Sequence, residues 1–191
     1  MKKIVFFGNS LIAGYGLINP STESIPALIA GKLRSAGMEY EVINAGISGD
    51  TTATALDRLD RHLNGNIDIF VVELGANDFL RGVSPQEVSH NLQGIISKVI
   101  TFCPQASIML LGMALPEWAH GIHGTQSLAY QNIYKDLAAE NNISLVPSFL
   151  KGVAGKPGLN MPDGVHPLAA GYQIAAENIW PELSKLINRL L

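Results

Sequence analysis

The chain has 191 residues, 47% of them hydrophobic and 15% charged, with a formal charge of −3. That balance excludes a disordered chain and gives no electrostatic reason to expect nucleic acid as a partner. The length suits a single domain over residues 1–191 with a sizeable core, and no apolar run approaches the ~20 residues of a membrane span, so no stable membrane anchor is expected.

Short apolar runs alternate with helical patterns along the whole chain. The first run, Lys3–Phe7, ends at Gly8. It is too short for the ~7–15 apolar residues of a secretory signal, despite the preceding lysines, so it reads as a strand. The chain is accordingly expected to be cytoplasmic if Met1 is native, and periplasmic or secreted if a signal has been removed. Ile25, Leu28, Ile29 and Leu33 then recur at helical spacing, and Gly37 supplies a stop. A second strand, Tyr40–Ile43, ends at Asn44-Ala45-Gly46, and a third, Ile67–Leu74, ends at Gly75. Ser84-Pro85-Gln86-Glu87 opens a helix. Ser84 can cap it, Pro85 suits the first helical position, and Glu87 completes a capping box; Val88, Leu92, Ile95 and Val99 form its apolar stripe. Ser107–Leu111 is the fourth strand. Tyr130, Ile133, Tyr134 and Leu137 mark a further helix, Ile143–Val146 the fifth strand, and a last helix is expected from Pro167.

The strand candidates lack polar alternation, as strands covered on both faces do. Strands separated by helices imply a parallel sheet with right-handed crossovers. The expected fold class is therefore α/β: a three-layer α/β/α domain on a five-stranded parallel sheet, flavodoxin-like. The Gly- and Pro-rich stretch Gly152–Pro162 joins the last strand to the last helix and reads as a working loop.

In such a sheet, ligands bind beyond the carboxyl ends of the strands. The residues there include Ser10 after the first strand, Gly46 after the second, Asn77 after the third, and Asp163 and His166 after the fifth. Together they supply the parts for acyl transfer. A serine hydroxyl needs a base, an imidazole titrates near neutral pH, and a carboxylate can fix the imidazole tautomer. Asn77 offers an amide N–H, and Gly46 lets a backbone N–H approach a developing oxyanion.

These residues carry a resemblance. Gly8-Asn9-Ser10-Leu11, Gly46, Gly75-Ala76-Asn77-Asp78 and Asp163-Gly164-Val165-His166 look like the four blocks of the SGNH hydrolase superfamily, the GDSL-type esterases and lipases. Within it, the chain resembles the bacterial thioesterase, lysophospholipase and arylesterase branch. The resemblance implies the SGNH hydrolase fold, Ser10 as nucleophile, His166 as base and Asp163 as its orienting group. It also implies an oxyanion hole from Ser10, Gly46 and Asn77. The expected activity is hydrolysis of small carboxylic esters or thioesters, with short to medium acyl or aryl groups, through an acyl-enzyme. A carbohydrate deacetylase or acyltransferase would share the triad, and a non-catalytic flavodoxin-like binding module would share the fold. The family's first block usually reads Gly-Asp-Ser-Leu; here position 9 is Asn9, which keeps an acceptor oxygen but lacks the charge.

Phe79 and Leu80 after Asn77, and Leu115 and Trp118 after the fourth strand, are expected to line the acyl pocket. Asp50 and Asp78 read as structural, bonding nearby backbone N–H groups. His62 and His90 lie on helical patterns and are expected to be solvated. No cofactor is called for, and no metal: His120 and His123 are only two ligands. The segment Gly8–Gly16 matches neither Gly-x-Gly-x-x-Gly nor a phosphate loop, and Gly-x-Ser-x-Gly is absent. The single cysteine, Cys103 before Pro104, reads as a small residue at a helix end and excludes an internal disulfide. Oligomeric state is not legible.

Overall fold

The computed structural model describes residues 1–113 and 126–190. Five strands form one all-parallel sheet: β1 (Lys2–Gly8), β2 (Tyr40–Gly46), β3 (Ile69–Glu73), β4 (Ser107–Leu111) and β5 (Ser144–Val146). Their order is β2-β1-β3-β4-β5, the expected flavodoxin-like arrangement. The chain passes from β1 outward to β2, then returns to place β3 on the other side of β1. That reversal puts the topological switch point at the carboxyl end of β1.

The uniformly apolar strands are explained by two cores. A β-strand sends alternate side chains to opposite faces. Val5, Phe7, Phe70, Val72, Ile108 and Leu110 enter one core. Ile4, Phe6, Ile69, Val71, Met109 and Leu111 enter the other. The first core is closed by α4 (Thr52–Arg58), α6 (Pro85–Phe102) and α7 (Gln126–Glu140); the second by α1 (Ser10–Ala13), α3 (Ile25–Ser35) and α8 (Ala169–Arg189). Full burial of each large apolar side chain contributes roughly 1.5–3 kcal/mol, so every strand position between the layers favours this packing. Two short helices complete the description: α2 (Pro20–Glu23) and α5 (Ala76–Leu80). Among the described residues, no helix is long and apolar enough to cross a membrane.

Three local expectations are corrected. As the edge strand, β2 is only half-buried, since Glu41 and Asn44 face solvent. The last helix begins at Ala169, not Pro167. Pro167 instead pairs in an isolated bridge with Asn160, and Leu168 N–H donates to the Leu159 carbonyl at 2.8 Å. Finally, the residues just after β1 and β3 are not loops but the one-turn helices α1 and α5. The α6 start forms in part as read: Ser84 Oγ accepts from Glu87 N–H, with Pro85 in the first turn, but no bond from the Glu87 side chain closes a capping box.

Candidate active site

Strand register assembles the site. Gly8, at the end of β1, lies opposite Gly46 on one side and Glu73 on the other. The residues that follow these three points therefore open onto the same edge of the sheet. Gly46 must be a glycine, because an added Cβ would collide with the Ala13 backbone nitrogen. The short helix α1 thus packs directly on the end of β2.

Ser10 stands in the first turn of α1 and is 7% exposed. Its Oγ lies 2.9 Å from His166 Nε2. On the other side of the ring, His166 Nδ1 lies 2.7 Å from Asp163 Oδ2. The second Asp163 oxygen accepts the backbone N–H groups of Val165 (2.9 Å) and His166 (3.0 Å), which locks the carboxylate beside the ring. Burial pushes the Asp163 carboxyl up, but the hydrogen bonds from the His166 ring and from these backbone groups outweigh it and hold the carboxyl below its ordinary range. Ser10, His166 and Asp163 are thus brought into one hydrogen-bonded line. The Tyr15 ring covers the imidazole at a centroid distance of 4.5 Å, and the Tyr172 hydroxyl holds the Tyr15 carbonyl at 3.1 Å.

Asn77 sits in α5, whose start at Gly75 has φ +113°, and a Cβ there would collide with the Tyr134 hydroxyl. One Asn77 amide N–H donates to the Asp50 carbonyl at 2.8 Å, which aims the side chain and leaves its second N–H. The Gly46 N–H donates to Asn44 Oδ1 at 3.0 Å. Ser10 N–H, in the first helical turn, has no intrahelical acceptor.

Asp50 and Asp78 are structural: Asp78 reaches across to Thr52, whereas Asp50 bonds side chains four and eight residues on, Thr54 and Arg58. Asp78 accepts from Thr52 N–H and, at 2.6 Å, from Thr52 Oγ1, while Asn91 donates to the same hydroxyl. This network ties α4, α5 and α6 together beneath Asn77. Asp50 pairs with Arg58 at 2.5 Å, and Arg58 also donates to the Gly8 and Ala45 carbonyls and stacks over Phe7. Arg58 thereby clamps the ends of β1 and β2 to the loop bearing Asp50, a role the sequence did not single out. Glu73 was also missed. It is 3% exposed and accepts from the Asn9 backbone and side chain.

Phe79, expected to line the acyl pocket, is a core residue instead. It is 1% exposed, with its ring edge-on to Tyr130, because the turn of α5 directs it inward. Leu80, one position on, is 45% exposed. Leu115, Trp118, His120 and His123 lie outside the described residues. His62 is not solvated as expected: it packs against Phe7 and contacts Arg58, and burial followed by the charges of Arg58 and Arg61 lowers its pKa. His90 is exposed. Cys103 caps α6, buried, and burial pushes its thiol pKa up, away from the reactive thiolate. Among the described residues, no group of three or more His, Cys, Asp or Glu side chains could hold a metal.

The fold agrees with comparisons to known proteins. The chain belongs to the GDSL-like lipase/acylhydrolase family, whose model matches residues 6–174. It is 36% identical over 188 residues to the esterase TesA of Pseudomonas aeruginosa, covering 97% of this chain and 90% of that protein. It is 34% identical over 186 residues to thioesterase 1/protease 1/lysophospholipase L1 of Escherichia coli K12, covering 97% and 85%. Among solved structures, the psychrotrophic esterase EstA from Pseudoalteromonas sp., inhibited by monoethylphosphonate, superposes with a TM-score of 0.88 at 27% identity, covering 98% of this chain and all of that one.

Proposed function

We propose that this carboxylic ester hydrolase works through an acyl-enzyme on Ser10, with His166 as base and Asp163 as the group that orients it. The observation that carries the reading is the continuous line Ser10 Oγ–His166 Nε2–His166 Nδ1–Asp163 Oδ2, with links of 2.9 and 2.7 Å. In the resting tautomer, Nδ1–H donates to Asp163, which leaves Nε2 to accept the serine proton. As that proton moves to Nε2, Oγ attacks the ester carbonyl carbon. The tetrahedral intermediate then collapses, and the leaving alcohol or thiol takes the proton from Nε2. Water, activated by the same nitrogen, next attacks the acyl-serine carbonyl and releases the acid. Asp163 stays ionised and stabilises the imidazolium formed at each step.

The oxyanion would be met by the Ser10 N–H and the second Asn77 amide N–H. The Gly46 N–H points to the same edge but is engaged by Asn44, so an oxyanion would share it with that side chain. One such donor is worth roughly 10²–10³ in kcat. Exposed Leu80 offers apolar surface beside this site, which favours short to medium acyl or aryl esters and thioesters. The thioesterase and lysophospholipase names of the Escherichia coli relative widen the substrates worth testing.

The test combines hydrolysis of p-nitrophenyl esters of increasing chain length, acyl-CoA and a lysophospholipid with fluorophosphonate labelling. The wild type is expected to label on Ser10 and to hydrolyse at least the shorter esters. Ser10→Ala should fold, fail to label and lose several orders of magnitude in kcat. A Ser10→Ala variant retaining a tenth of wild-type activity would overturn the assignment.

A further inference from the structure

Asn9, which stands where the usual Gly-Asp-Ser-Leu block has an aspartate, is 1% exposed and caps α1. Its Oδ1 accepts from Leu11 N–H at 2.9 Å. Its backbone N–H and one amide N–H both go to Glu73, the last residue of β3: the backbone N–H to Oε2 at 3.3 Å and the amide Nδ2 to Oε1 at 3.2 Å. Space for this pairing depends on Gly8, where a Cβ would lie 3.0 Å from Glu73 Oε2 and 2.6 Å from the Glu73 carbonyl.

Both Glu73 oxygens therefore face N–H donors. That arrangement fits a carboxylate, which accepts at either oxygen; a neutral carboxyl or an amide would present hydrogen to one donor and lose a bond. Burial pushes the Glu73 carboxyl up to about 7 even though the two Asn9 bonds oppose that rise. Other polar groups packed here are committed elsewhere. Tyr134 of α7 donates to the Leu74 carbonyl, and Tyr172 of α8 donates to the Tyr15 carbonyl. Both phenols are raised by burial and then by the Glu73 charge. Arg58 of α4 is spent on Asp50 and the Gly8 and Ala45 carbonyls, and Asp78 of α5 on Thr52. Asn9 is thus the group that satisfies the buried carboxylate, and Asn9 is also the cap that sets the turn carrying Ser10.

We infer that Glu73 is a positioning residue for the nucleophile, acting through Asn9, and that an amide stands at position 9 because it is matched to this carboxylate. The inference rests on the reading of Ser10 as nucleophile. An aspartate at position 9 would still accept from Leu11 N–H but would set a second acceptor against Glu73. Once Glu73 is replaced by glutamine, the same aspartate becomes a match. It would accept from the new glutamine's amide, while that glutamine's carbonyl oxygen takes the backbone N–H of position 9. Every bond is kept, and the charge moves across the pair.

The experiment compares wild type, Glu73→Gln and the double variant combining Asn9→Asp with Glu73→Gln. The readouts are the rate of fluorophosphonate labelling, kcat and KM on a p-nitrophenyl ester, and thermal unfolding. Glu73→Gln should label roughly tenfold more slowly, the scale of one hydrogen bond to a charged group, with kcat reduced and KM little changed. The double variant should recover to within about threefold of wild type, since it restores the same bond. Labelling of Glu73→Gln at the wild-type rate, or a double variant no better than Glu73→Gln, overturns the proposal. If Glu73→Gln does not fold, a double variant that folds and labels supports it, and one that stays unfolded or inert refutes it. A wild type that does not label at all would instead sink the reading of Ser10, a separable result.

Discussion

The ring of Tyr15 lies 4.5 Å from that of His166, tilted by 44°, and Tyr15 itself is 49% exposed. An aromatic face over an imidazole favours its protonated form, which exists only while the serine proton is on the ring. An exposed cation–π contact is worth about 0.5–1 kcal/mol. Tyr15→Ala should therefore lower kcat about two- to fivefold with Tyr15→Phe close to wild type. Equal losses in both variants, measured on one short ester, would show that the hydroxyl and not the ring matters.

Asn77 is held by the Asp50 carbonyl in a pose that leaves one amide N–H. A donor that meets charge only in the transition state affects kcat more than KM. Asn77→Ala should cost ~10²–10³ in kcat with KM nearly unchanged. A variant that raises KM alone, in steady-state kinetics on a soluble ester, would place Asn77 in ground-state binding.

Glu73 also predicts how stability depends on pH. Its carboxyl is raised from 4.5 to about 7, chiefly by burial. Between those values the folded chain keeps a proton that the unfolded chain releases, so stability falls as pH rises through that window and levels off above it. The loss is on the order of a few kcal/mol. Urea unfolding at pH 5 and pH 8 should show a steeper decline for wild type than for Glu73→Gln. Parallel declines would mean that Glu73 titrates normally.

Leu80 is exposed at the end of α5, three residues beyond Asn77. Each methylene buried there would gain ~0.8 kcal/mol until the apolar surface ends. Leu80→Ala should reduce kcat/KM on medium-chain esters by roughly three- to tenfold and spare the shortest ester. An unchanged chain-length profile would remove Leu80 from the pocket.

The strands are legible in the sequence because the covered middle of a central strand must be apolar, and Ile4–Phe7, Ile69–Val72 and Ile108–Leu111 are. Ser10, Asn77, Asp163 and His166 are legible as candidates because they follow strands, where an open α/β sheet binds ligands. Glu73 is hidden in an apolar run, and its partner lies 64 residues away, just past the end of a neighbouring strand, so only register reveals the pair. Arg58 is hidden for the same reason, as a basic residue near a helix end whose targets are carbonyls on two strands. Phe79 misleads because a residue after a strand looks like loop, whereas a single turn of helix reverses which side chains face inward. Pro167 misleads because a proline that can open a helix can equally close a bridge with Asn160.

Asp163 and His166 share the connection between β5 and α8, pinned by the Asn160–Pro167 bridge and by Met161 N–H on the His166 carbonyl at 2.8 Å. Ser10, Gly46 and Asn77 ride on the sheet. The machinery is thus two bodies of unequal cohesion: the sheet-borne half opens only with the global core, whereas the loop-borne half depends on a few surface bonds. His166 and Asp163, the proposed base and its orienting carboxylate, would leave together, as one unit, in a fluctuation that spares the sheet. Catalysis should then fade in mild denaturant before the sheet melts. In native-state hydrogen exchange, the amides of Met161 and Leu168 should be labelled well ahead of those in β1 and β3.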